Sequence, residues 1–170
     1  MSSDSINIRS AVPSDCESVA ALVYRSHTVS FNSFASSEWV SSRQLGVYRS
    51  KWRELLSDHS QDAATFIAVV NDAVVGTVRV SPIETSNHGA QLSGMHVEPS
   101  QTGNGIGGLL MTRAIAFIKE RGFDSVELGV IASNSGARRF YETHGWEVTE
   151  ELPDGIEGVP IAIYKLAQIF

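Results

Sequence analysis

Gly103, Gly105, Gly107 and Gly108 stand within six residues, in "TGNGIGGLL", and an amphipathic run begins at once behind them. Glycine loses more backbone freedom on folding than any other residue. So many together fit a place where a ligand must come close to the peptide groups. Read as G-x-G-x-x-G, Gly103 to Gly108 would hold a dinucleotide, but that fingerprint sits on a strand-to-helix turn and needs an acidic residue ending the next strand. Here "EPSQT" intervenes and "VELGVIAS" ends without a carboxylate. A P-loop needs Gly-Lys-Ser/Thr, which does not follow. A third use remains: the first amides of a helix lack helical partners and carry the positive end of the dipole, so a glycine-opened helix can cradle a pyrophosphate.

Further along, Asn134, Ala137 and Tyr141 are three and seven apart and line one side of a short helix. Asn134 also suits a helix cap and Tyr141 suits packing beside Phe140. His96 is the titratable residue on the strand before the glycine loop. Histidines 27, 59, 88, 96 and 144 show no metal-ligand spacing, and no metal is expected. The single cysteine, Cys16, shares a helical face with Val19, Ala20 and Val23, which reads as core filler and excludes an internal disulfide.

These residues need elements to hold them. "INIRSA" alternates as a strand, Pro13-Ser14-Asp15 starts a helix through "CESVAALVYRSH", and 37–56 reads as a second helix. "ATFIAVV", Asn71-Asp72 and "AVVGTVRV" form a hairpin, and "AQLSGMHV" is a strand broken, with a bulge, at Gly94. The glycine loop then opens a helix with Ile106, Leu109, Leu110, Arg113, Ala114, Phe117 and Ile118 on one stripe. "SVELGVI", a helix over "SGARRFYETH" stopped at Gly145, and "PIAIYKL" complete the order β α α β β β α β α β. That order is one α/β domain over residues 1–170, with its core at about 6–166, and a sheet antiparallel early and parallel around the glycine loop.

The chain has 170 residues, 42% of them hydrophobic, and a net charge of −6, which disfavours nucleic-acid binding through bulk charge. "MSSDSINIRS" has no apolar h-region, and no stretch approaches the roughly 18 apolar residues of a membrane span. A cytoplasmic protein without membrane partners is expected.

"VEPSQTGNGIGGLLM" resembles the coenzyme A loop of the GNAT superfamily of N-acetyltransferases, and "LGVIASNSGARRFYETHGWE" is similar to that family's second motif. "IRSAVPSD" and "IAIYKL" sit where the family has its opening and closing strands. Thr102 stands at the family's usual Arg/Gln position, with Gln101 before it, which removes a long side chain near the phosphates.

The resemblance implies a mixed central sheet of about six or seven strands flanked by about four helices, with two parallel strands splayed at the coenzyme A site. It implies transfer of an acetyl group from acetyl-CoA to a primary amine, directly, in a ternary complex. On it, Met95, His96 and Val97 bind the pantetheine, with the Val97 amide polarising the thioester carbonyl. Thr102, Gly103, Asn104, Gly105, Ile106, Gly107 and Gly108 hold the pyrophosphate. Asn134, Ala137 and Tyr141 also contact coenzyme A, and Tyr141 is the general acid toward the departing thiolate. The family's strand glutamate corresponds to Gln91, which cannot serve, so His96 and Glu84 are the candidate bases. Phe31, Phe34 and Trp39 are candidate acceptor contacts, while Trp39, Tyr48 and Trp52 each suit the core as well. A small-molecule or peptide amine is the expected partner, and the resemblance also implies a homodimer. The rival reading is a non-catalytic acyl-CoA-binding module of the same fold.

Overall fold

A computed structural model describes residues 4–169. Met1, Ser2 and Ser3, where the stretch read as lacking a secretory signal begins, lie outside the described residues, as does Phe170. Near the start, Arg9 grips Asp15 through two hydrogen bonds of 2.8 and 2.9 Å, and Asp15 accepts a third from the Val12 amide at 2.8 Å. This ties the strand β1 (Asn7–Ser10) to the helix α1 (Cys16–Thr28) across a 3-10 turn at Pro13–Asp15. The Arg9 guanidinium holds the Asp15 carboxyl below the usual carboxylate range.

The stretch 37–56, expected as one helix, is two: α2 (Ser37–Ser41) and α3 (Leu45–Leu56). Serine hydroxyls compete with the helix for its carbonyls. Ser41 Oγ donates to the Glu38 carbonyl and Ser42 Oγ to that of Trp39, and Gln44 is extended.

Strands β2 (Ala64–Val70) and β3 (Ala73–Pro82) join through Asn71 and Asp72, both at positive φ, the two-residue turn whose twist matches a hairpin. Then follow β4 (Gly89–Val97), α4 (Ile106–Glu120), β5 (Ser125–Ile131), α5 (Ser135–Thr143), β6 (Trp146–Ile156) and β7 (Val159–Leu166). One seven-stranded sheet runs β1-β2-β3-β4-β5-β7-β6, and only β4 and β5 are parallel neighbours. The strand β6 was not foreseen as a separate element. It is an edge strand, largely exposed and rich in glutamate, so no apolar alternation marks it.

Period-two alternation divides the side chains between two layers. Phe66, Ala68, Val78, Val80 and Leu92 face Leu110, Ala114 and Ile118 of α4. Ile67 faces the opposite way, to Val19, Val23, Trp52 and Leu56 of α1 and α3. Cys16 is core there, as expected. On α4 the apolar stripe is shifted from its expected line: Leu109 is 44% exposed and Met111 is buried instead.

Two irregularities shape the centre of the sheet. Strand β4 pairs with β5 only from Gly89 to Gln91, and beyond that the strands part, β5 continuing antiparallel to β7. Opposite β3, Thr77 pairs with His96 and Arg79 with Ser93, so Gly94 and Met95 together face the single residue Val78. This is the expected bulge. Gly94 has φ of +57°, and a Cβ there would meet the Trp52 ring at 3.2 Å, so both conformation and space call for glycine.

Candidate active site

Where β4 and β5 part, a cleft of about 510 Å³ opens between Leu92–His96 on one side and Leu128–Ile131 on the other. Its β4 wall carries unused backbone. Glu98 donates its amide to the Val75 carbonyl at 2.7 Å, toward β3, so strand alternation turns the Val97 amide to the opposite edge, which β5 has left. The Met95 and Val97 side chains pack into the core, while His96 lines the cleft.

After Val97 the chain makes a 3-10 turn at Pro99–Gln101 and reaches α4 through the glycine loop. Thr102 Oγ1 donates to the Pro99 carbonyl at 2.9 Å, and Asn104 Nδ2 donates to Gln101 Oε1 at 3.3 Å, which fixes the loop from within. Gly103 and Gly105 have φ of +83° and +81°, and a Cβ on either would enter open space. Gly105 precedes Ile106 as the helix cap, with no side chain capping the first turn and no acidic residue in it. These amides therefore face outward, unopposed. Gly107 also makes room for α5, since a Cβ there would lie 3.2 Å from the Phe140 ring, whereas a Cβ at Gly108 would make ordinary contact, 3.6 Å from His144 Nε2.

Helix α5 brings Asn134, Ala137 and Tyr141 to the cleft together. Asn134 Oδ1 accepts from the Ala137 amide at 3.1 Å, so it caps the helix. Tyr141 is 7% exposed, and burial pushes its phenol up to about 12. Arg138 anchors the helix: it donates to the Ala132 carbonyl, to the buried Tyr164 hydroxyl and to Glu151, at 2.9–3.0 Å. Tyr164 in turn donates to Glu142 Oε1 at 2.7 Å.

The far end of the cleft is built by α1, α2, α3 and the turn between β6 and β7. His96 Nδ1 shares a 2.7 Å hydrogen bond with Ser26 Oγ, and His27 Nδ1 shares one of 2.7 Å with the Tyr48 hydroxyl. The two imidazoles stand edge to face, centroids 5.1 Å apart. Burial, then the neighbouring positive charge of Lys51, lowers His27 to about 4; burial, then His27 and Lys51, lowers His96 to about 3.

Phe31 lies 4.9 Å from the His27 ring and Trp39 5.8 Å from it. Glu157 in the β6–β7 turn accepts at Oε2 from Trp39 Nε1 and from Arg43 Nη2, both at 2.8 Å. The Arg43 guanidinium also stacks on the Trp39 ring at 4.3 Å. The turn is shaped by Gly155, whose Cβ would run into the Val159 carbonyl.

Of the sequence candidates, His96, Asn134, Ala137, Tyr141, Phe31 and Trp39 meet at this cleft. Phe34 stands behind Phe31, 6.4 Å away, off the wall. Glu84 lies on the exposed loop leading into Gly89, at the opposite end of β4 from Val97. Trp52 is core, as weighed, whereas Tyr48 faces the cleft. His27, Lys51, Arg43 and Glu157 went unread as site residues, although Val47, Tyr48 and Lys51 share a face of α3 that a helical projection would have exposed. Among the described residues no group of three or more His, Cys, Asp or Glu could hold a metal ion, and no helix is long and apolar enough to cross a membrane.

Residues 28–146 match the acetyltransferase (GNAT) family. An uncharacterized N-acetyltransferase of Methanocaldococcus jannaschii is 38% identical over 90 residues; the match takes in 50% of this chain and 39% of that relative, so the chain spans about two fifths of the length of the curated relative it matches. The crystal structure of the PaiA N-acetyltransferase from Thermoplasma acidophilum in complex with coenzyme A superimposes with a TM-score of 0.78 at 23% identity, covering 94% of this chain and 98% of that one. YncA from Salmonella typhimurium, solved with its cofactor acetyl-CoA, gives 0.76 at 17% identity over 98% and 95% of the two chains.

Proposed function

The chain belongs to the acetyltransferase (GNAT) family, and from that membership we propose that it moves an acetyl group from acetyl-CoA to a primary amine by direct transfer, both substrates occupying the cleft together. One observation carries the reading: a strand edge left unpaired by the parting of β4 and β5 runs straight into an uncapped helix start with two open glycines. A thin arm ending in a diphosphate suits that sequence of surfaces.

The residues fit coenzyme A. The main chain from Met95 to Val97 would pair with the pantetheine as an added strand does, the Val97 amide donating to the thioester carbonyl. The backbone from Thr102 to Gly108 would take the pyrophosphate on its outward amides, without the long side chain that the family usually has where Thr102 stands. Ala137 leaves room beside the arm, and the amide nitrogen of Asn134 is free to donate while its oxygen caps α5. Bound acetyl-CoA supplies an acetyl group activated as a thioester.

Tyr141 keeps its proton at neutral pH, so its hydroxyl is a donor for the leaving sulfur. His96, held neutral, accepts a hydrogen bond from the incoming amine and orients its lone pair. Glu84, away from the cleft, has no part in this reading. Cys16, the one cysteine, is buried in the core at the start of α1, so transfer proceeds without a cysteine-bound acetyl group.

Calorimetry with coenzyme A, followed by thiol release from acetyl-CoA across a panel of amines, tests the proposal. Binding with amine-dependent release is expected. Binding without release on any amine would point to the non-catalytic module, and absence of binding would remove both.

A further inference from the structure

The acceptor end of the cleft carries a charge opposite in sign to that of the whole chain. Net charge is −6, yet the charged residues lining the cleft are Arg43, Lys51 and Glu157 alone. Glu157 is already held by Arg43 and by Trp39 Nε1, each at 2.8 Å. Lys51 enters no ion pair among the described residues. Its charge reaches inward, because it is one of the causes that lower both His27 and His96. The two imidazoles add hydrogen-bonding capacity and no charge.

Exposed on α3 where it lines the cleft, the Lys51 ammonium favours a substrate that brings an anion. A polyamine, an aminoglycoside or a lysine-rich peptide carries further ammonium groups beside the one that reacts. Those need free carboxylates, and the cleft has none to offer. Apolar surface at this end comes from Phe31 and Trp39, with Val47 and Ile156 63% and 61% exposed. Large apolar side chains left open at a cleft mouth suit a partner that covers them.

Resting on the acetyltransferase reading, we infer that the acceptor is an amine whose own skeleton bears an anionic group and an apolar side chain, an apolar amino acid by chemical class. Lys51 takes the carboxylate, Phe31 and Trp39 take the side chain, and the amine turns toward His96. In the transfer, the neutral amine nitrogen bonds to the acetyl carbon, the carbon–sulfur bond of acetyl-CoA breaks, Tyr141 gives its proton to the departing sulfur, and the proton lost by the amine nitrogen passes to solvent water, which restores the phenol.

Matched pairs isolate the carboxylate: L-phenylalanine against 2-phenylethylamine, and L-leucine against 3-methylbutylamine, with spermidine as the polycation. Acetyl transfer is followed by thiol release and by mass of the acetylated product. The acid of each pair is expected to exceed its decarboxylated partner by about tenfold or more in kcat/KM, mostly through KM, as a charge-assisted contact in a partly enclosed site provides. Lys51→Glu should bring that ratio to one or below while coenzyme A affinity stays at the parent value. Equal or better turnover of 2-phenylethylamine or spermidine, or a ratio that survives Lys51→Glu, overturns the inference.

If none of these amines reacts, ligand-observed NMR on the coenzyme A-loaded protein decides. Selective binding of N-acetyl-L-phenylalanine over N-acetyl-2-phenylethylamine, lost in Lys51→Glu, supports the inference; equal binding, or none, overturns it. Failure of coenzyme A itself to bind removes the acetyltransferase reading and this inference with it. Binding with the preference reversed removes this inference alone.

Discussion

Burial disfavours charge on any group, so in one cleft it moves Tyr141 up to about 12 and His27 and His96 down to about 4 and about 3. All three stand neutral at neutral pH, the first as a donor and the others able to accept. Tyr141→Phe removes the donor and little volume: kcat should fall by about a hundredfold or more, with the coenzyme A dissociation constant from calorimetry within a few-fold of the parent. An unchanged kcat would strip Tyr141 of its role. The histidines also set an acid limb of stability. Their folded values lie below the ordinary 6.5, so between about 6.5 and about 4 the unfolded chain binds more protons than the folded one. Stability therefore falls as pH drops through that window and gains nothing above it. Thermal melts of a His27→Gln/His96→Gln variant should show a flatter decline there than the parent; equal slopes would mean the rings are not enclosed. Little of this was legible in the sequence. The bond between Ser26 and His96 spans 70 residues and that between Trp39 and Glu157 spans 118, and no local spacing announces either.

At the scale of elements, the glycine loop and the β4 bulge were legible because their requirements are local. A left-handed cap at Gly105 and a bulge at Gly94 can be read from one residue type in its immediate setting. What the pattern hid was a division of labour: Gly103 and Gly105 serve conformation, while Gly107 also lets α4 approach α5 at Phe140. The two kinds should respond differently to alanine. At Gly105 a methyl enters open space and the loss is backbone strain, about 1 kcal/mol. At Gly107 the methyl presses on Phe140, for about 1–3 kcal/mol, and moves the helix that carries Tyr141. In denaturant titrations, Gly107→Ala combined with Phe140→Leu should lose less than the sum of the single losses, by about 0.5 kcal/mol or more, whereas Gly105→Ala with Phe140→Leu should be additive. Additivity in both would deny the contact its role. The break between α2 and α3 and the strand β6 escaped the sequence for separate reasons: the Ser42 hydroxyl and the Arg43 guanidinium took the Trp39 carbonyl that a helix would use, and an edge strand facing water has no need of apolar alternation.

At the scale of the molecule, distant segments close the end of the cleft proposed for the acceptor, since Glu157 in the β6–β7 turn holds Trp39 and Arg43 beside α2. Glu157 is about half exposed, its side chain at 53%, so the pair contributes little to global stability, about 0–1 kcal/mol. Its effect should fall on the site. Glu157→Gln is expected to leave the melting temperature within a few degrees, raise the acceptor KM several-fold, and quicken amide exchange in the turn 155–158; unaltered exchange there would show that the turn holds without the clasp. The net charge does not describe the cleft, because −6 sums a surface whose acidic residues, Glu157 apart, lie elsewhere. One feature of the sheet reaches further. Its two arms, β1-β2-β3-β4 and β5-β7-β6, are stitched together by just three facing pairs, from Gly89–Ser125 to Gln91–Glu127. A slender arm lodged between them past that seam would supply the missing rungs, turning a half-open zipper into a closed one, so that on the proposed function the nucleotide-bearing substrate would act as the keystone of the arch it enters.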